Sequence, residues 1–218
     1  YAVFFPDWES GFCALREIVQ ARLDISMLRL LDKFETETTL QLSGKEKLVN
    51  FADKGLRLLK MGDERCMMLF GLTGSETVAH TTLKQIRHIT GQYHGFLEKS
   101  FIGKMWYDSR FTTPYLRNNL WECGYALDTL ETVFPWSQVA GVKDQVEHAL
   151  FTGLESENEQ LIVFSHLSHM YTDGASLYVT YLFRRTADAD QTLERWKKLK
   201  KTASEVIVKN GGTISHQH

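Results

Sequence analysis

Apolar residues recur along the chain with two spacings that alternate. Short runs are apolar throughout or at every second position, which predicts β-strands, and longer stretches carry apolar residues three or four apart, which predicts amphipathic helices. The predicted strands are Ala2–Phe5, Ser26–Leu31, Cys66–Leu72, Ala126–Val133, Leu161–Met170 and Ala175–Phe183.

Helix start signals separate these strands. Asp7, Ser75 and Asp188 each precede a stretch with helical spacing, where a short polar side chain can accept a hydrogen bond from a free backbone N–H. Gln191 completes a capping box with Asp188, and Thr113-Pro114 is a further start signal. We expect helices after Asp7, over Lys33–Leu42, within Leu42–Asp63, after Ser75, after Pro114, over Ser137–Thr152 and from Asp188 to Asn210. The aromatic stretch Phe96–Phe111 has no clear period.

The order of the elements predicts the fold class. β-α-β, then β-α, then β-α-β-β-α is typical of ferredoxin-like split β-α-β units. We expect an α+β domain with a largely antiparallel sheet and helices on one face. No low-complexity tract or linker divides the chain, so residues 1–218 are expected to form one domain. Because Ala2–Phe5 already has the pattern of a strand, we expect a fragment of a longer protein.

Composition narrows the function classes. Hydrophobic residues make up 43% and charged residues 24%, as in soluble globular proteins. The net charge of −2 and the lack of a dense basic stripe argue against nucleic acid as a partner. Three separated cysteines without a CxxC pair argue against a thiolate zinc site and fit a reducing compartment. The sequence contains neither a glycine-rich phosphate loop nor a GxSxG elbow.

The strand Ala175–Phe183 has one apolar and one polar face. Since side chains alternate along a strand, Ser176, Tyr178 and Thr180 share the polar face. This pattern predicts the lining of a polar cavity, in which the Tyr178 phenol could donate or accept a proton. The alternative is a sheet tyrosine whose hydroxyl is bonded locally.

Two arginines are candidates for anion binding, since a guanidinium pairs well with carboxylate or phosphate. Arg117 lies in the short helix after Pro114. Arg29 interrupts an apolar strand and should have a charged partner, for which Asp32 or Glu131 could serve structurally.

Histidines form a third group of candidates. His216 and His218 share a face if the end of the chain is extended, and could relay protons near neutral pH. A metal site needs a third ligand, and none is obvious nearby, so no metal is predicted. A solvent-exposed terminus is the alternative. His166 and His169 point to opposite faces of one strand, and we interpret them as core or edge residues.

Five segments occur in an order that resembles a known enzyme family. They are Leu28–Asp32, Pro114–Arg117, Leu130–Thr132 with Pro135-Trp136, Gly174–Tyr178 and Asn210–His218. Together they resemble the C-terminal half of the alkyldihydroxyacetonephosphate synthase family, within the vanillyl-alcohol-oxidase type of FAD enzymes. The resemblance implies that residues 1–218 are the cap, or substrate-binding, domain over the reactive face of the flavin. It also implies an FAD-binding domain upstream that holds most of the cofactor.

The resemblance implies roles by position. Tyr178 matches the tyrosine that acts as acid or base beside the flavin, and Arg117 matches the arginine that holds the substrate phosphate. His216 and His218 match the first and last of three consecutive histidines at the active site, where they would contact the cofactor. Arg29 matches an arginine needed for activity and is predicted to bind substrate.

The implied reaction is exchange of the acyl group of acylated dihydroxyacetone phosphate for a fatty alcohol, a step of ether-lipid synthesis without net redox change. An FAD-dependent dehydrogenase of 2-hydroxy acids such as lactate or glycolate is the alternative. Such enzymes usually carry HxGDGNxH, and the comparable stretch His169–Tyr178 lacks the second histidine, which favours the synthase branch. Gln217, which replaces the middle histidine, departs from the synthase pattern. A non-catalytic binding domain is the third hypothesis, and the isolated chain is expected to be inactive.

The expected partner is a small molecule or a lipid phosphate. Peripheral membrane association and a homodimer stay open for the longer protein. The cytoplasm or a membrane surface is the expected location.

Overall fold

The computed structural model describes residues 1–42, 55–57, 61–98, 101–111 and 115–216. These residues form two compact units. The first unit comprises Tyr1–Arg110 and His166–Asp173, and the second comprises Phe111–Ser165 and Gly174–His218.

The described residues contain strands and helices close to those predicted. The strands are β1 (Ala2–Phe5), β2 (Met27–Leu31), β3 (Cys66–Gly71), β4 (Phe96–Glu98), β5 (Tyr125–Pro135), β6 (Ile162–Tyr171) and β7 (Gly174–Arg184). The helices are α1 (Trp8–Gln20), α2 (Lys33–Gln41), α3 (Glu76–Gln92), α4 (Phe101–Ser109), α5 (Leu116–Glu122), α6 (Trp136–Thr152) and α7 (Ala189–Lys209). The α+β class is confirmed.

The predicted helix starts are confirmed where the structure describes them. Asp7 accepts a hydrogen bond from Ser10 N, and Ser75 accepts one from Val78 N. Asp188 caps α7 by accepting from the backbone of Asp190. The start signal at Thr113-Pro114 lies outside the described residues. Of the helix expected within Leu42–Asp63, residues 55–57 are described and are helical.

The first unit has the strand order of a ferredoxin-like sheet. Its strands lie in the order β4-β1-β3-β2, and the middle of β6 pairs with β2, with Leu30 opposite Leu167 and Leu31 opposite His166. Every one of these pairings is antiparallel. This is the arrangement expected of split β-α-β units.

Both faces of this first sheet are covered. On one face α1 packs so tightly that a Cβ at Gly11 would lie 2.6 Å from Cys66 Sγ. Apolar side chains on the other face join residues of α2 and α4 in one buried cluster. Its members are Ala2, Phe4, Leu31, Leu40, Leu56, Met61, Met67, Leu69 and Ile102.

The second unit is built on the long pairing of β5 with β7. The register runs from Tyr125 opposite Arg184 to Pro135 opposite Gly174, in antiparallel sense. Helix α6 contacts both strands and also α7. This strand pair carries the polar face that was predicted from the sequence.

Candidate functional site

The polar face of the β5–β7 pair places three polar side chains of β7 beside residues of β5. Tyr178 lies directly opposite Glu131, and its neighbours Ser176 and Thr180 lie opposite Val133 and Thr129. Directly opposite residues of an antiparallel pair have side chains on the same face, about 5 Å apart at Cβ. Glu131, Ser176 and Thr180 are buried, and Tyr178 is half-buried.

The opposite face of the pair is fixed by α7. Asp128 Oδ2 accepts hydrogen bonds from Trp196 Nε1 at 2.7 Å, from Lys200 Nζ at 3.1 Å and from the Tyr181 hydroxyl at 3.1 Å. Burial alone would raise the pKa of Asp128, but the bonds from Trp196, the Thr129 backbone and Lys200 outweigh it and lower that pKa. Burial and the adjacent Asp128 charge raise the pKa of Tyr181. These contacts clamp α7 to the apolar face of the strands.

The chain after α7 brings a histidine to the polar face. Gly211 has a φ of +80°, a backbone conformation that glycine adopts without strain. A Cβ at Gly212 would overlap the ring of Phe134, so the segment passes closely against β5. His216 Nδ1 then lies 3.3 Å from Glu131 Oε1. The structure therefore gathers Tyr178 and His216 around one buried carboxylate.

Arg117 lies elsewhere in the second unit, exposed on α5. This helix is anchored to the end of β7, because the Arg185 guanidinium stacks 4.1 Å from the ring centroid of Trp121 and donates to its carbonyl oxygen. Among the described residues, no hydrogen bond or ion pair joins Arg117 to Tyr178 or His216. His218 lies outside the described residues.

Arg29 lies in the first unit, within a buried cluster of three charged or titratable groups. Arg29 Nη2 is 2.9 Å from Glu35 Oε1 and 2.8 Å from His166 Nδ1. His166 Nδ1 is in turn 2.8 Å from Glu35 Oε2. Burial would raise the pKa of Glu35, but the charges and hydrogen bonds of His166 and Arg29 prevail and lower it to about 2.

The partner of Arg29 differs from both expected carboxylates. The Asp32 carboxylate is used to cap α2, where it accepts from Glu35 N at 2.7 Å, and Glu131 bonds to His216. The partner is Glu35, in the first turn of α2. Both Arg29 contacts use Nη2, while Nε is buried and has no hydrogen-bond partner among the described residues.

The two strand histidines behave as their spacing predicted. His166 is buried within the Arg29 cluster, and His169, three residues later, is exposed. In the described part of the chain, no group of three His, Cys, Asp or Glu side chains is arranged to hold a metal ion. No described helix is both long and apolar enough to cross a bilayer.

Glu131 is the residue of this site that sequence reasoning missed. A charged residue in the middle of a predicted strand is a usable signal. From the sequence, Glu131 was considered as a structural partner for Arg29 and as part of the Leu130–Thr132 segment, and not as a site residue. The register of β5 against β7 decides its role, and a local pattern does not contain that register.

A polar strand face bearing a tyrosine and a histidine is a setting for proton transfer, and comparison with known families identifies the class. A family model described as "FAD linked oxidases, C-terminal domain" matches residues 1–218. The chain belongs to this family of FAD-linked oxidase C-terminal domains.

The relatives of this chain include alkyldihydroxyacetonephosphate synthases and an FAD-linked oxidoreductase. The alkyldihydroxyacetonephosphate synthase of Dictyostelium discoideum is 23% identical over 225 residues, which cover 100% of this chain and 36% of that protein. The synthase of the same name from Caenorhabditis elegans is 23% identical, over 98% of this chain and 37% of its own length. The uncharacterized FAD-linked oxidoreductase YgcU of Escherichia coli is 22% identical, over 100% of this chain and 43% of its own length.

Solved structures show the same fold. An alkyldihydroxyacetonephosphate synthase structure superposes with a TM-score of 0.84 at 21% identity, over 99% of this chain and 40% of that one. The chain thus spans less than half the length of each of these relatives.

Proposed function

We propose that this chain is the cap domain of a longer FAD-dependent enzyme that exchanges an acyl group for an alkyl group on dihydroxyacetone phosphate. The observation that carries the proposal is the convergence of Tyr178 and His216 on Glu131. Two side chains expected to move protons come from distant parts of the chain and reach one polar strand face. The family membership and the names of the relatives agree with this reading.

The chain's own residues would handle protons and charge. The Tyr178 phenol would give and take the proton at the reacting carbon, because it lies half-buried in the middle of β7, on the polar face of the strand pair. His216, with His218, would contact the cofactor and tune the proton balance of the site. Arg117 would neutralise the substrate phosphate. Arg29, whose Nη2 is engaged by Glu35 and His166 and whose Nε is buried, would meet substrate through Nη1.

The side chains of Tyr178 and His216 fit the ring system of a flavin better than the pyrophosphate of FAD. A phenol and an imidazole on a polar face suit the ring and a polar substrate, whereas the sequence holds no glycine-rich loop for phosphates. Bound FAD would supply the electron-accepting ring chemistry. We propose that a domain upstream of residues 1–218 holds most of it, and that this chain alone has no turnover.

The proposed substrate class is a lipid phosphate. Peripheral membrane binding and a homodimer are proposals for the longer protein. Large aromatic side chains in α5 and in the residues just before it are exposed, as expected of a surface that binds the membrane interface. They are Phe111, Tyr115 and Trp121.

The decisive variant is Tyr178→Phe in the full-length flavoprotein. It should abolish alkyl-for-acyl exchange and leave bound FAD unchanged in absorbance and amount. Tyr107→Phe, an exposed tyrosine of α4, is the matched control and should retain full turnover. Wild-type turnover in Tyr178→Phe would reject the proposed role.

A second measurement separates the exchange reaction from hydroxy acid oxidation. The full-length protein is mixed anaerobically with lactate or glycolate, and the flavin absorbance is followed. We expect no bleaching, because the proposed exchange enzyme does not oxidise a 2-hydroxy acid and therefore its flavin is not reduced. Rapid bleaching would instead establish a dehydrogenase.

A further inference from the structure

The Glu131 carboxylate is buried on the polar face of the strand pair. It is only 4% exposed, in the middle of β5, and lies directly opposite Tyr178. A buried carboxylate is costly unless hydrogen-bond donors satisfy it. Its contact with His216 is one such bond, and the His216 side chain is itself only 14% exposed.

This contact selects one form of the imidazole. A carboxylate accepts hydrogen bonds, so the ring nitrogen that faces it carries the hydrogen. The nitrogen facing Glu131 is Nδ1, at 3.3 Å. In the neutral ring Nε2 is then the nitrogen without a hydrogen, and it is the ring atom that can accept a proton.

The terminal segment approaches β5 along a closely packed path. Gly211 and Gly212 direct the chain past Phe134, and Ser215 N donates to Thr213 Oγ1 at 3.3 Å within the segment. Both features set the path of the backbone. The contact with Glu131 acts on the imidazole itself and joins the ring to β5 at the position directly opposite Tyr178.

We infer that Glu131 is a positioning residue for the reaction: it holds the His216 imidazole as the Nδ1–H tautomer and presents Nε2 as the proton acceptor on the strand face that carries Tyr178. The inference rests on the proposed function for its catalytic meaning. The tautomer itself is a property of the folded protein and can be measured without turnover.

The test uses the full-length flavoprotein with ¹⁵N-labelled histidine. Ring ¹⁵N shifts of His216, assigned by their loss in His216→Asn, should show hydrogen on Nδ1 in the wild type. Glu131→Gln should move hydrogen toward Nε2, because the amide can donate to Nδ1. Glu205→Gln, at an exposed site of α7, should leave the shifts unchanged. An Nε2–H ring in the wild type would overturn the inference.

Turnover supplies the second readout. Glu131→Gln should lower kcat about 100-fold, the lower end of what a positioned acid or base contributes, and leave KM near its original value. Glu131→Asp should recover part of the loss. In a His216→Asn background, Glu131→Gln should have no further effect, since both changes remove the same function.

The outcomes separate this inference from the proposed function. A changed tautomer with unchanged kcat would reject the positioning role and leave the assignment of Tyr178 intact. Retained turnover in Tyr178→Phe would reject the proposed function and leave the tautomer result standing. If Glu131→Gln does not fold, Glu131→Asp must still shift the His216 signals, and identical signals would count against the inference.

Discussion

Trp196 donates its indole N–H to Asp128 over 2.7 Å, and this bond joins α7, the longest of the described helices, to β5 in the second unit. The same oxygen accepts from Lys200 and Tyr181. The Asp128 carboxylate therefore binds two residues from successive turns of α7 and one residue of the neighbouring strand β7.

Asp128→Ala should lower the free energy of unfolding by about 2 kcal/mol, because three donors lose a common acceptor. Asp128→Asn should lose less, since an amide oxygen still accepts. Denaturant unfolding followed by tryptophan fluorescence measures both changes. Asp144→Ala, an exposed site on α6, is the control and should stay within about 0.5 kcal/mol of the original protein. Equal losses at positions 128 and 144 would contradict the role of Asp128.

Glu35→Gln should lower the unfolding free energy at neutral pH by about 3 kcal/mol, because Arg29 loses its buried partner. The pKa of Glu35 is about 2 in the folded protein, against 4.5 for an ordinary glutamate. A group whose pKa is lowered on folding stabilises fully above its unfolded pKa, and the stabilisation is lost as pH falls toward the folded value.

The stability of the unmodified protein should therefore fall between about pH 4.5 and 2, and Glu35→Gln should make that fall shallower. Urea unfolding across this pH range measures the slopes. Glu37→Gln on the same helix controls for other carboxylates and should keep the original slope. If the two variants share one slope, the Arg29 cluster does not produce the effect.

Gly212→Ala should destabilise the protein by about 1–3 kcal/mol, as expected for overpacking, because the new methyl group would meet the Phe134 ring. Gly141→Ala is the matched control in the interior of α6, where a Cβ would meet nothing within 4 Å. It should stabilise by roughly 0.5–1 kcal/mol. Thermal unfolding distinguishes the two, and a neutral Gly212→Ala would show that the segment is not held against Phe134.

The cysteines should differ in reactivity. Cys66 is fully buried, its Sγ lies 3.2 Å from the Asp7 carbonyl, and burial raises the pKa of its thiol. Because the thiolate is the reacting form, Cys66 should resist alkylation in the folded protein. Cys123 is exposed and should be modified first. Iodoacetamide labelling with mass spectrometry gives the order, and simultaneous labelling of both residues without denaturant would contradict the described burial.

Local signals predicted much of this fold. Caps such as Asp7 and Ser75 act within three residues, so the sequence alone contains the interaction. Alternation along Ala175–Phe183 correctly separated the face of Tyr178 from the face of Tyr181, since side chains alternate on any strand. The aromatic stretch Phe96–Phe111 gave no period, and its described residues include both β4 and α4.

Contacts between distant residues could not be predicted in this way. Arg29 meets His166 across a sequence separation of 137 residues, and the choice of Glu35 over Asp32 depends on how α2 begins. Glu131 joins the candidate site only through the register of β5 with β7. The roles of Tyr178, Arg117, Arg29, His216 and His218 in catalysis and binding stay predictions that the variants above can test.

The first unit is discontinuous, because residues 166–173 complete a sheet whose other strands end at Glu98. During synthesis, the edge of β2 that pairs with β6 would stay unpaired until about seventy residues beyond Glu98 had left the ribosome. Over the same interval, Arg29 and Glu35 would lack the His166 imidazole. Unpaired edges invite intermolecular pairing. A fragment of residues 1–110 should consequently aggregate. A peptide that contains residues 166–173 should pair with β2 of this fragment and keep it in solution.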